Sequence, residues 1–308
     1  MRIVHISNDA SHSGAGRAAL RVHKGLLRRG YDSIMYAARS EGDPEGVVKL
    51  CLAQSFGARL RRLLQYLPIK LEKSLQPRRE PGGYPKFSPA RSQIGHSMVR
   101  RLPEGDIYNL HWVADFLDYQ KFFRALPPET PVVWRLADMN PYTGGCHYDY
   151  GCGRFRAKCG ACPQLGAYAV RDLSFRIWRR KKRALSSLTA DRLCVVGPSR
   201  WAADQARRSS LLGRFRSRII PNSVDTDLFS PRNVLESRLG EDLPTERPIM
   251  LFVAQDLSDR LKGLDLLLES IRQLNRSHDA LLVLVGRNSA GIPCAIPHVR
   301  LGFVKNDM

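Results

Sequence analysis

The chain has 308 residues, 43% of them hydrophobic and 25% charged, which is length and apolar content for two ordinary cores and excludes a disordered or fibrous polymer. Its apolar runs, such as LLVLVG at 281–286, are too short to cross a bilayer, and polar Ser7, Asn8 and Asp9 break the opening apolar stretch before it could act as a signal peptide, so a cytoplasmic location is expected. A formal net charge of +20 points to an anionic partner (nucleic acid, phosphorylated substrate or acidic membrane), set against the plainer reading of a solvated Arg-rich surface.

The elements alternate from the start. RIVHIS reads as a strand, Ala15 to Arg29 as a helix, and DSIMYAA as a second strand; Ala18, Ala19, Val22, Leu26 and Leu27 recur on one side of the helix, and Gly30 follows as its C-cap. At 55–79, Phe56, Leu60, Leu63, Leu64, Leu67 and Leu71 form an apolar stripe flanked by Arg59, Arg61, Arg62, Lys70 and Lys73, with Pro68 kinking or ending the first helix. That pattern fits an interfacial helix on an anionic membrane, or a surface helix packed on the sheet with snorkelling Arg. Residues 80–93 are rich in Pro and Gly and read as a loop. Further on come strands at 106–112 and 131–137, a helix near Tyr119–Arg124, a basic helix at 172–188, a strand at 192–199 running into a helix capped by Ser199, and a strand and turn at 216–225. Residues 231–247 are polar with Pro and Gly and read as a linker. The chain then repeats the opening theme: strand PIMLFVA, polar loop QDLSDRLKG, helix LDLLLESIRQL and strand ALLVLVG, with one more short strand at most before Met308. Such alternation predicts α/β architecture with parallel sheets: a domain over 1–230 with a Cys-bearing insert at 144–166, the linker, and a second domain over 248–308 in which Leu266, Leu267, Val283 and Val285 lose cover.

Three constellations carry chemistry. In the first loop, Gly14 and Gly16 let backbone approach a ligand at a helix N-terminus, and Arg17 adds a charge-assisted contact. The full dinucleotide fingerprint is not met, because Ala19 holds the third Gly position and no acidic residue closes the second strand. In the second domain Lys262, with Arg260 nearby, opens a helix and can neutralise a diphosphate there, against the plainer reading of a solvated loop Lys. Between them, four of the seven Cys (Cys146, Cys152, Cys159 and Cys162) fall in a Gly-rich segment with spacing C-x5-C-x6-C-x2-C. Four soft ligands this close suit tetrahedral zinc; an iron–sulfur cluster, oxidised pairs and free thiols remain open alternatives. His111 ends a strand and points to the carboxyl edge, or is a packed structural His; Asp138 follows the next strand. No nucleic-acid recognition motif is present.

Taken together, SGAGRAA at 13–19, WRLADMNPYTGGCHYDYGCGRFRAKCGACPQLG at 134–166, VVGPSRWAAD at 195–204, IIPNSVDTDLFSP at 219–231 and LFVAQDLSDRLKGLDLLLESI at 251–271 resemble a retaining glycosyltransferase of family 4, in a Cys-bearing subgroup associated with bacterial exopolysaccharide and O-antigen assembly. The resemblance covers nearly the whole chain. It implies the GT-B architecture of two facing Rossmann-like domains, and transfer of a hexose-type sugar from a UDP- or GDP-sugar to a polyprenyl-diphosphate-linked or polysaccharide acceptor at the inner membrane face. It gives the diphosphate to Gly14, Gly16, Arg17, Arg260 and Lys262, a catalytic role to Asp138, and the acceptor side to His111, Ser199 and Asn222. Three departures stand out. Ala137 replaces the family His before Asp138; Ala254-Gln255 replaces Gly-Arg; and the Glu-x7-Glu motif that holds donor sugar and ribose would lie beyond Val304. The expectation is therefore an incomplete transferase without turnover, with a non-catalytic acceptor-binding or membrane scaffold as the alternative.

Overall fold

The computed structural model describes residues 1–11, 13–50, 87–92, 102–231, 234–274 and 279–304, with Leu67 and Leu71 besides. Apart from Leu67 and Leu71, both exposed, the apolar stripe at 55–79 lies outside the described residues, as does most of the loop at 80–93. The chain divides into two compact units, Met1–Ser223 and Val224–Met308.

The first unit is a parallel sheet of β1 (Arg2–Asp9), β2 (Asp32–Arg39), β3 (Val47–Lys49), β4 (Ile107–Leu110), β5 (Val132–Arg135), β6 (Leu193–Gly197) and β7 (Arg216–Ile219), in the order β3-β2-β1-β4-β5-β6-β7. Its helices are α1 (Gly14–Arg28), α2 (Tyr119–Ala125), α3 (Leu173–Leu185) and α4 (Arg200–Arg208). The expected α/β class is what the structure shows. Both faces of the sheet are covered, so β1 is buried almost throughout instead of alternating. In β2 the period of two sorts side chains between two layers: Met35 and Ala37 join Ala19 of α1, whereas Tyr36 joins the opposite, larger cluster with Val4, Ile6, Phe122 and Trp134.

Local chemistry sets the helix ends. Ser13 accepts from Gly16 N, Asp118 from Lys121 N, Asp172 from Phe175 N and Ser199 from Ala202 N, at 2.9–3.2 Å. Gly30, at φ +78°, closes α1 in the left-handed conformation, its N–H donating to Leu27 O. Of the side chains expected beneath α1, Ala18 and Ala19 are buried, while Val22, Leu26 and Leu27 are half-covered. The most buried large side chain of that helix is His23, whose hydrogen bonds to Ser33 (2.7 Å) and Glu45 O (2.9 Å) satisfy its ring nitrogens in the interior.

The second unit holds α5 (Val234–Leu239), β8 (Ile249–Asp256), α6 (Leu264–Gln273), β9 (Leu281–Arg287) and β10 (His298–Gly302), with parallel strands in the order β10-β9-β8. The stretch expected as a linker is locally folded: α5 lies in it, and Arg238 donates to the carbonyls of Pro244, Thr245 and Arg247. The expected loss of cover is uneven. Leu266 is 70% exposed, and Leu251 and Val253 on β8 are exposed too, but Val283 is 1% exposed on β9, which has a paired strand on either side. Among the described residues, no helix is long and apolar enough to cross a membrane.

Candidate functional site

Strand order reverses at β1: β2 and β3 lie to one side, β4 to β7 to the other. In a parallel α/β sheet the crevice at the carboxyl ends of the two strands flanking that reversal is the natural binding place, because the connections diverge there. Here it is framed by Asn8 and Asp9 at the end of β1, His111 and Trp112 after β4, and Asp138 beyond β5.

The loop from β1 to α1 is organised from within. Asn8 N donates to Trp112 O (2.7 Å) and Asn8 Nδ2 to Ala114 O (2.9 Å), which ties the two strand ends together. The Asp9 carboxylate accepts from Ser11 N (3.0 Å) and Ser13 N (2.6 Å). Gly16 is required by packing against that carboxylate, since a Cβ there would stand 2.8 Å from Asp9 Cγ; Gly14 faces open space. Of the two glycines read as a ligand cradle, Gly14 thus has the room and Gly16 serves the fold. Arg17 is half-buried, with Nε toward Ser11 O at 3.4 Å.

Asp138 is the most elaborated side chain at the edge. Its Oδ2 accepts from Trp112 Nε1 (2.9 Å) and pairs with His147 Nδ1 (2.6 Å), and its Oδ1 accepts from Asn140 N (2.9 Å). His147 Nε2 meets Ser88 Oγ (3.0 Å), and Ser88 Oγ donates to Asp115 Oδ2 (3.1 Å). Asp115 holds a left-handed φ of +57°, an uncommon backbone state for a non-glycine residue. An imidazole therefore does stand beside Asp138, delivered from position 147 and not from 137. The chain Asp138–His147–Ser88–Asp115 spans loops far apart in sequence, and no local periodicity announces it.

The remaining expected site residues are dispersed. His111 is buried, 1% exposed, stacked on His5 with centroids 5.2 Å apart and its Nε2 2.9 Å from His5 Nδ1. His23 meets His5 edge-on at 5.6 Å. Burial, then the neighbouring His23, holds the His5 imidazole down to about 3; burial, His5 and Arg135 hold His111 well below the ordinary range. His5 Nε2 and His111 Nδ1 have no hydrogen-bond partner among the described residues. Asn222 accepts from the buried Arg135 guanidinium, and Ser199 is committed to capping α4. In the second unit Arg260 and Lys262 are both exposed in a 3₁₀ turn capped by Asp259, and Gly263, at φ +77°, passes the chain into α6. The neighbouring loop is braced by Asp256, which accepts from Ser258 N, Ser258 Oγ and Asn288 Nδ2, bonds that hold its carboxyl below the usual range.

The four clustered cysteines line one small cavity of about 20 Å³, together with Thr143, Gly144, Asp149, Arg154 and Gly160 among others. None of the four is joined in a disulfide. Burial pushes the Cys146 and Cys162 thiols up, and Cys159 up to about 12. Among the described residues, no three His, Cys, Asp or Glu side chains are gathered as a metal-holding group, so the expected metal centre is not preformed. The glycines of this loop are dictated by close contacts: a Cβ at Gly160, where φ is +150°, would lie 2.2 Å from Val170 O. Gly160→Ala is accordingly expected to destabilise the first unit by about 1–3 kcal/mol, measured as a lowered urea midpoint; an unchanged midpoint would show that the loop yields freely. Sequence reasoning missed Lys181 altogether. It is fully buried on α3, donates to Asn140 O and Oδ1, lies 5.5 Å over the Tyr119 ring, and is pushed down to about 8 by burial.

The fold and edge geometry of the first unit are those of a doubly wound parallel α/β protein whose strand order reverses between β2 and β4, at β1. No family model matches the chain. It is 31% identical over 156 residues to a protein of Escherichia coli (strain K12) that carries the name colanic acid biosynthesis glycosyl transferase WcaC; the match covers 48% of this chain and spans 35% of that protein's length. Among solved structures it is similar to WaaG, a glycosyltransferase involved in lipopolysaccharide biosynthesis (13% identity, 99% of this chain and 70% of that one, TM-score 0.45). It is also similar to an α-glucosyltransferase in complex with UDP and DNA (10% identity, 99% and 68%, TM-score 0.41).

Proposed function

We propose that the chain belongs to a GT-B glycosyltransferase that moves a hexose-type sugar from a UDP- or GDP-sugar to a lipid-linked or polysaccharide acceptor, with retention, in bacterial surface-polysaccharide assembly. The observation that carries the reading is the exposed Lys262 one residue before Gly263 at the start of α6, within a chain that shares 31% identity over 156 residues with WcaC. A cation and the free amides of a helix N-terminus together match a diphosphate, whose growing negative charge is what the transition state of sugar transfer must stabilise. On this reading the second unit takes the donor, with Lys262 and Arg260 at its diphosphate. The first takes the acceptor at the β1/β4 crevice, where Gly14, Arg17 and the clamped Asp138 orient it. Exposed Arg176, Arg179, Lys182 and Arg183 on α3 would face an anionic membrane carrying that acceptor.

Calorimetry with UDP and GDP tests the assignment. Binding of one of them is expected, and Lys262→Ala is expected to weaken it roughly 10- to 100-fold, the worth of one charge-assisted hydrogen bond. Equal affinity in the variant removes Lys262 from the site, and no affinity for either nucleotide overturns the donor role of the second unit.

A further inference from the structure

The thiol-lined cavity and the buried Lys181 are not used by sugar transfer, and each lacks what the other supplies. We propose that Cys146, Cys152, Cys159 and Cys162 bind one zinc ion as four thiolates, and that Lys181 and Arg154 balance the charge of that centre.

The donor set is the first argument. Four sulfurs border one cavity of about 20 Å³, room for an ion and not for an organic ligand. His147, next to Cys146, is engaged by Asp138 and Ser88, so the set is sulfur alone. The four thiols stand apart around the cavity wall, and they must turn inward to reach Zn–S distances of about 2.3 Å.

The surroundings are the second argument. Gly144 N donates to Cys159 Sγ at 3.1 Å. A neutral thiol is a weak acceptor and gains little from such a donor, whereas a metal-bound thiolate is oriented and stabilised by it. Gly144 and Gly160 are what allow the backbone this close, since a Cβ on Gly144 would stand 2.5 Å from Ser174 O and 2.7 Å from Cys159 Cβ.

Charge is the third. Lys181 is 0% exposed, and its hydrogen bonds go to the carbonyl and side-chain oxygens of Asn140, not to a carboxylate. An interior ammonium is costly unless opposite charge stands near it. The Asp138 and Asp115 carboxylates act on Lys181 in that sense, and Cys146 and Cys159 would do so once ionised to thiolates. Arg154 lines the cavity itself, held by the carbonyls of Gly160 and Ala161. On binding, four S–H bonds lose their protons to solvent and four Zn–S bonds form. The resulting centre carries two negative charges, which the Lys181 ammonium and the Arg154 guanidinium cancel.

The test is independent of sugar transfer. Metal analysis of the purified chain is expected to give about one zinc per chain, and Co²⁺ added to chelator-treated, reduced protein is expected to give thiolate-to-metal charge-transfer and tetrahedral ligand-field bands. Cys152→Ser, at a half-buried position that tolerates the change, is expected to weaken Co²⁺ at least 100-fold, and Lys181→Met about 10-fold. A chain with no metal and no cobalt charge-transfer band, its thiols either titratable or paired as disulfides, overturns the centre. A cobalt site of unchanged affinity in Lys181→Met, or in Lys181→Gln if Met prevents folding, overturns the role of the lysine.

Discussion

Asp138→Ala is expected to cost about 3–5 kcal/mol of stability in the first unit, far more than a carboxylate at a sheet edge ordinarily contributes. The side chain is about nine-tenths buried, and three donors converge on it: the Trp112 indole, the Asn140 amide and His147. Alanine leaves all three without an acceptor in a dry place, and each stranded donor is worth roughly 1–3 kcal/mol, less than additively because the neighbours relax together. Asp138→Asn is a sharper probe. The amide keeps one acceptor oxygen for Asn140 but turns two N–H groups toward Trp112 and His147, so it should recover only part of the loss. Urea unfolding of both variants checks the ranking. If alanine costs under about 1 kcal/mol, the carboxylate is not the organiser of this edge. On the proposed reading, Asp138→Ala should also disturb acceptor binding and leave nucleotide affinity unchanged, because Asp138 holds Trp112 and the loop around Asn140 in place.

Acidification from pH 7 to pH 5 is expected to remove about 2 kcal/mol through His5 alone, with His111 adding in the same direction. Both imidazoles are neutral in the folded protein because burial holds their protonation far below the ordinary range. The unfolded chain protonates them near the ordinary value of about 6.5, so it binds the extra protons as pH falls. Stability is therefore full above about pH 6.5 and is lost progressively down to about pH 3, where His5 protonates in place. Urea midpoints at pH 7 and pH 5 measure the difference, and NMR of the imidazole protons assigns it. His5 or His111 titrating between pH 6 and 7 in the folded protein would refute the account.

Much of this fold is readable in advance, for a definite reason. A parallel sheet covered on both faces makes its strands continuous apolar runs, and runs such as RIVHIS and LLVLVG are conspicuous against the Arg-rich background. Ser199 and Gly30 are equally legible because capping is a local matter of one side chain or one φ angle. What escapes is non-local or of the wrong polarity. His23, Arg135 and Lys181 are polar residues at interior positions, and a pattern of apolar recurrences assigns such residues outward. His111 stands at the right edge, but its ring turns down onto His5 and away from the crevice. The partnership of Asp138 with His147, and through it with Ser88, joins positions nine and 59 apart, which nothing short of the folded loops could reveal.

The central place of β1 has a consequence for how the protein is made. Its partner on one side, β2, follows within 30 residues, but Ile3 pairs with Ile107 on the other. At ribosomal speeds of about 5–20 residues per second the apolar first strand waits on the order of 5–20 s before its second neighbour exists, a long window for non-local pairing. β1 is thus the strand of this sheet most in need of a chaperone's shelter during synthesis, and slowing translation between Lys49 and Ile107 should raise aggregation more than slowing it beyond Ile219.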